Sequence, residues 1–149
     1  LVHLTDARPD ELAIVAARGC HVVLCPRSNL HIELKLPPLL DILKAGIRPG
    51  LGTDSLASNA SLDPLAEARA LQKRFPTVAP VELLAMATSW GADALGVGDR
   101  VGRLEPGFSP GLLAFEHTGP QPSDAARFIL EQERAPRRVL MRPDSGRVS

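Results

Sequence analysis

Residues 21–55 read HVVLCPRSNLHIELKLPPLLDILKAGIRPGLGTDS, and the order of patterns within this stretch decides the fold class. His21 to Cys25 is a short apolar run stopped by Pro26, the pattern of a buried strand. Pro37 to Ala45 sets Leu39, Ile42 and Leu43 on one helical face, and Gly46 suits its end. Ile47 to Thr53 supplies a further strand, imperfect because Pro49, Gly50 and Gly52 interrupt it. Working outward, Leu1 to Leu4 is a strand candidate. A helix is expected after it, with Pro9, Asp10 and Glu11 in its first turn, Leu12, Val15 and Ala16 at helical spacing, Ile14 broadening the face and Gly19 at the stop. A third helix is expected from about Asp63 to Arg74, with Pro64 near its first turn.

Strand, helix, strand, helix, strand, helix is the order of a parallel α/β sheet. Three such units cannot close a barrel, which needs eight. Either the sheet is small and open, or further strands lie upstream of Leu1. The second is expected: the chain opens without methionine on the apolar Leu-Val-His-Leu, as a segment of a longer protein would. A truncated sheet would otherwise leave an exposed edge strand.

Beyond residue 79 the pattern changes. About Pro80 to Trp90 is a helix with two apolar rows, one of Val81, Leu84, Ala85 and Thr88, the other of Leu83, Met86, Ala87 and Trp90, as expected between layers. Seven glycines then fall between Gly91 and Gly119, with Pro106, Pro110 and Pro120 among them. This marks a second region, 98–149, distinct from 1–97. It holds a strand candidate at Leu112 to Phe115, a helix from about Ser123 to Glu133 with Ala125, Phe128 and Ile129 inward, another strand at Val139 to Met141, and a turn at Pro143 to Gly146.

Composition excludes several function classes. Seventeen basic side chains balance seventeen acidic ones in 149 residues, so no global field draws the chain to nucleic acid or an anionic membrane. Arg134, Arg137, Arg138, Arg142 and Arg147 cluster without interleaved aromatics and read as a solvated edge. No apolar run approaches the roughly 18 residues of a membrane span, and the first residues lack the pattern of a signal peptide. Cys20 and Cys25 fit no metal or redox spacing, so reduced, buried thiols in a cytoplasmic protein are expected.

Asp54 is the first candidate for chemistry. It ends a strand, after Gly52 and Thr53, and precedes a loop rich in serine and asparagine. Ligands bind at the carboxyl ends of parallel strands, where a carboxylate can hold a metal or move a proton to and from a bound water. The same spacing also fits a simple Asx turn. His3 occupies the equivalent place on the first strand and could be a metal ligand, a general base or an electrophile, or a satisfied core histidine. His31, Ser28 and Asn29 lie in the expected loop after Cys25 and could line a substrate pocket, or the latter two could cap a helix. His21 opens a strand and reads as structural; His117 reads as a surface residue. Gly50-Leu51-Gly52 lacks the third glycine and the helix start of a dinucleotide fingerprint.

Leu-Val-His3-Leu, then Cys25-Pro26-Arg27-Ser28-Asn29-Leu30, then Gly50-Leu51-Gly52-Thr53-Asp54-Ser55 together resemble the amidohydrolase superfamily. The likeness is to its branch of chlorohydrolases, aminohydrolases and cytosine, guanine and adenosine-type deaminases. Asn59, Leu62 and Glu67 resemble that branch's Asn-x-x-Leu-Asp-x-x-x-Glu stretch, and Thr88 to Leu95 and Gly102 to Gly107 continue the similarity. The resemblance implies the last three strands of a TIM-type (β/α)8 barrel, plus the C-terminal part of a small β-sandwich domain. It implies one divalent metal, usually zinc or else iron, with Asp54 as metal ligand and proton shuttle. His3 would help to hold and polarise the attacking water or substrate. Ser55 and Asn59 join Ser28, Asn29 and His31 as candidate substrate contacts. The remaining metal ligands would lie upstream of Leu1, leaving this segment alone inactive. Phe108-Ser109-Pro110-Gly111 departs from the family's usual lysine, alanine and aspartate there, so the sandwich would be anchored differently.

The expected function is hydrolysis of a C–N bond, or of a C–Cl bond, in a cyclic or heteroaromatic small molecule. A homodimer is implied by the family's habit, and neither nucleic acid nor membrane is an expected partner. The competing expectations are a non-catalytic scaffold of the same fold and, more weakly, an autonomous open-sheet binding module.

Overall fold

Pro9, Pro26, Pro64 and Pro80 each open a helix, because a fixed φ suits the first turn and the missing N–H is one the helix cannot satisfy anyway. The computed structural model of the protein describes residues 1–109, 111–117, 119, 122–132 and 137–141. The element order is α1 (Pro9–Ala17), β1 (Val23–Leu24), α2 (Pro26–Glu33), α3 (Leu39–Lys44), β2 (Gly50–Leu51), α4 (Pro64–Arg74), α5 (Pro80–Met86), α6 (Ser89–Ala94), β3 (Leu112–Phe115), α7 (Ala125–Glu131) and β4 (Arg137–Met141). The fold is mixed α/β.

β1 and β2 pair in parallel, Val23 with Gly50 and Leu24 with Leu51, and Val2 bridges Val23 in parallel on the other side. The three apolar runs therefore lie side by side in chain order, although only their centres form a ladder. Pro49 cannot donate to a ladder, which helps to confine the third strand to Gly50 and Leu51 rather than 47–53. Gly50 itself is required by packing, since a Cβ there would lie 2.9 Å from the Gly91 Cα in α6. Leu12, Val22, Leu24, Leu39, Ile42, Leu71, Leu83 and Met86 are fully buried and form the core between this sheet and its helices.

Two expectations about helices fail for identifiable reasons. Residues 26–33, read as a loop, are the helix α2. Its N-cap Cys25 offers no side-chain cap; instead the Arg27 N–H donates to Glu67 Oε2 at 2.7 Å, a cap supplied from α4 forty residues away. The expected single helix over 80–90 is two, broken where Thr88 takes φ −133°, ψ −93° and its hydroxyl donates back to the Leu84 carbonyl at 2.7 Å. Cys25 is buried as expected, whereas Cys20 is exposed.

β3 and β4 form an antiparallel pair with an irregularity between Leu112 and Leu113. α7 packs against α4 and α5 through the buried Leu130. Arg69 of α4, itself buried, donates from Nε to the Leu130 carbonyl at 3.0 Å and from a terminal nitrogen to the Gln132 carbonyl at 3.1 Å, satisfying the last carbonyls of α7. Pro110, Pro120, Arg134, Arg142, Arg147 and the turn expected at 143–146 lie outside the described residues.

Candidate active site

Parallel pairing carries the chain outward at the same end of all three segments; His3 and Cys25 follow directly, and Asp54 follows Leu51 after Gly52 and Thr53. His3 and Asp54 both adopt left-handed backbone, at φ 72° and 57°. Asp and His tolerate this conformation better than most residues, yet neither would be found there without surrounding contacts that impose it.

α2 supplies those contacts from two successive residues. The Ser28 hydroxyl, fully buried, bonds Asp54 Oδ2 at 2.8 Å, and Asn29 Nδ2 lies 2.9 Å from His3 Nδ1. Ser58 adds a second hydroxyl to the same Asp54 oxygen at 2.7 Å and lies 2.9 Å from the Ser28 hydroxyl. The Ser58 hydroxyl, followed by that of Ser28, holds the Asp54 carboxyl below the usual carboxylate range; partial desolvation opposes them, and the Ser55 amide and the His3 charge reinforce them. Asp54 remains exposed, an acceptor with one oxygen held in place and the carboxylate open to a ligand.

Behind this rim sits Glu67, fully buried on α4. Oε2 takes the Arg27 amide, and Oε1 takes Asn59 Nδ2 at 2.7 Å with the Arg27 guanidinium 3.7 Å away. Asn59 Nδ2 also donates to the Thr53 carbonyl at 2.8 Å, and the Arg27 guanidinium to the Ser61 hydroxyl at 2.9 Å. Glu67 thus ties the start of α2 to the loop that begins at Asp54. Burial pushes its carboxyl up, against the pull of Arg27 and Asn59. Burial likewise raises the Cys25 thiol, which packs beneath the rim.

The other candidates are placed as follows. His31 is exposed on α2 and lines a shallow cleft with Arg27, Leu56, Ser58 and Asn59. Ser55 is exposed, its hydroxyl accepting from the Ala57 amide at 3.3 Å. Asn59 and Asn29 are buried with the contacts given above. His21 is exposed at the opposite end of the sheet, and His117 stacks edge-on against Phe128, 4.8 Å between ring centres, in the second region. Ser58 is absent from the sequence-based candidates, and Glu67 enters them only as the last residue of the family-like stretch 59–67, with no role at the site. Glu67 had a signal: it stands four residues before Leu71, an acid on the inward stripe of α4.

A carboxylate and an imidazole are donors suited to a borderline divalent ion such as zinc. Among the described residues, however, no group of three or more His, Cys, Asp or Glu is placed to hold a metal ion. The donor type fits; the number reaches only part of the three protein ligands that a catalytic zinc uses.

The chain is 38% identical over 122 residues to a 5-methylthioadenosine/S-adenosylhomocysteine deaminase of Teredinibacter turnerae, covering 77% of this chain and 28% of that protein. It is 43% identical over 113 residues to the enzyme of the same name from Desulforudis audaxviator, covering 71% and 26%. It therefore spans little more than a quarter of the length of these curated relatives. Among solved structures it resembles an adenosine deaminase from Xanthomonas campestris with bound zinc, at TM-score 0.66 and 37% identity over 72% of this chain and 26% of that one. An atrazine chlorohydrolase from Arthrobacter aurescens, also complexed with zinc, matches at TM-score 0.60 and 30% identity over 66% and 24%. No helix among the described residues is long and apolar enough to cross a membrane. The model of the amidohydrolase family matches residues 1–144, and the chain belongs to that family.

Proposed function

We propose that residues 1–149 are the C-terminal part of a metal-dependent hydrolase that deaminates an aminated heteroaromatic ring, with an adenine-type nucleoside as the first substrate class to test. In this reading the three parallel segments are the last strands of a (β/α)8 barrel, and β3, β4 and α7 belong to a small β-domain that upstream chain completes. The observation that carries it is the paired tether: consecutive residues of one helix, Ser28 and Asn29, hold a strand-end carboxylate and a strand-end imidazole at a common rim. The relatives named as deaminases support the reaction class, and the zinc in related structures supports a divalent ion.

Asp54 would hold the ion together with ligands from upstream residues. When bound, such an ion lowers the pKa of a coordinated water so that hydroxide is available near neutral pH. Asp54, kept ionised by Ser58 and Ser28, is an acceptor at neutral pH and can take a proton from water and pass it to the departing nitrogen. Glu67 keeps the loop after Asp54 against α2, so that the carboxylate does not have to be ordered at the moment of reaction.

The test is ammonia release by the purified full-length protein against adenosine-type nucleosides, with metal content measured on the same sample. Turnover that needs a stoichiometric divalent ion, and that Asp54→Asn abolishes, is the expected result. A metal-free protein inactive on every C–N and C–Cl substrate offered would favour the non-catalytic scaffold instead.

A further inference from the structure

The amide of Asn29 is 1% exposed and cannot meet a substrate, yet it is unevenly satisfied. Nδ2 faces His3 Nδ1 at 2.9 Å and Glu33 Oε1 at 3.4 Å, while Oδ1 is buried without a hydrogen-bond partner among the described residues. Rotating the amide would turn Oδ1 onto the Glu33 carboxylate, acceptor against acceptor, so Glu33 selects the orientation with nitrogen toward the ring. An N–H donor at Nδ1 requires a lone pair there, and a neutral imidazole must then carry its hydrogen on Nε2.

We propose that Asn29 is a positioning residue that fixes the tautomer of His3, so that His3 presents Nε2–H to the reacting molecule as a hydrogen-bond donor. Of the three roles open to a histidine at a strand end, the tether gives a structural basis for the polarising one that the family resemblance implies. A ring protonated at Nε2 can neither ligate an ion through that nitrogen nor accept a proton there; it can polarise an acceptor atom on the substrate or orient an attacking water. The division of labour is then complete at the rim, with Asp54 the acceptor held by Ser28 and His3 the donor held by Asn29.

The inference rests on the proposed function for the use made of His3, but its test does not. The probe is the full-length protein with nitrogen-15 in its histidine rings, read by long-range proton–nitrogen correlation at a pH where His3 is neutral. A His3→Gln variant identifies the resonances. Wild type is expected to show a protonated Nε2 and a lone-pair Nδ1. Asn29→Asp, an isosteric change that puts an acceptor against Nδ1, is expected to move the hydrogen to Nδ1. Asn29→Leu, which keeps the volume and removes the donor, is expected to give a mixture of tautomers with kcat reduced about 10-fold or more at similar KM. A wild-type ring protonated at Nδ1, or a tautomer unmoved in both variants that fold, overturns the proposal. A protein with no hydrolase activity whose His3 still follows Asn29 would end the functional reading and leave the tautomer assignment standing.

Discussion

The strand-end rim and the β3–β4 region treat polar groups in opposite ways. At the rim, Ser28, Asn29, Ser58, Asn59 and Glu67 are all buried, and each bonds a residue distant in sequence or the loop that carries Asp54. In the second region Leu113, Val139 and Leu140 are more than half exposed, and Leu130 is the buried hydrophobic side chain of the described α7. Burying polar side chains costs free energy unless every partner is present, so a dense buried network is worth keeping only where positions must be held. The two regions meet on α4. Glu67 and Arg69, two residues apart, point about 200° apart around the helix; one holds the rim and the other satisfies the end of α7. A single helix therefore braces both regions through different charges.

The largest expected effect separates chemistry from bracing. Asp54→Asn in the full-length protein should lower turnover by at least about 10³-fold with little change in thermal stability, since its side chain is exposed; near-normal turnover would remove Asp54 from the mechanism. Next, Glu67→Ala should cost about 3 kcal/mol in denaturant unfolding, because it leaves the Arg27 amide and the Asn59 side chain without an acceptor in a buried place. Turnover should fall as well, and a loss of stability without loss of turnover would detach Glu67 from the rim.

The titration of Glu67 sharpens the same point. Its folded pKa is raised, so the folded state holds the proton more tightly than the unfolded one. Stability should therefore fall as pH rises from the ordinary glutamate value through the raised one, and Glu67→Gln should flatten that part of the stability–pH curve. An unchanged slope would mean that Arg27 and Asn59 fully offset burial.

On the other face of α4, Arg69→Met should cost about 2 kcal/mol and speed amide exchange in α7, while turnover stays within about 2-fold. A loss of turnover matching that of Glu67→Ala would break the division between the two sides. The smallest effect belongs to the hairpin: Val139→Thr, at a side chain 54% exposed, should change stability by no more than about 0.5 kcal/mol in an unfolding titration.

Much of this was legible in residue order. Proline at first turns, glycine at stops and apolar spacing located α1, α3 and α4 to within a few residues, because these are local preferences of the backbone. α2 was not legible, since Pro26 at its first turn also reads as the stop of the preceding strand and the cap on its first amide comes from Glu67 across the fold. The break at Thr88 was hidden for a similar reason, as both halves keep helical spacing through it. At the site, strand-end position singled out His3 and Asp54. The serine that completes the grip on Asp54 was not, because Ser58 sits in a loop whose path is set by Asn59 and Glu67.

Sequence alone determined the α/β class, the parallel order of the first three strands and the family, because these rest on short-range periodicity and on motifs read one residue at a time. Tertiary structure alone decided which polar residues act as tethers and which meet solvent. Ser28 and Asn29 look alike in the chain, yet one reaches the carboxylate of the third strand and the other the imidazole of the first. That assignment depends on where α2 is docked, and the docking is fixed by a buried carboxylate whose partners converge only when the chain has folded.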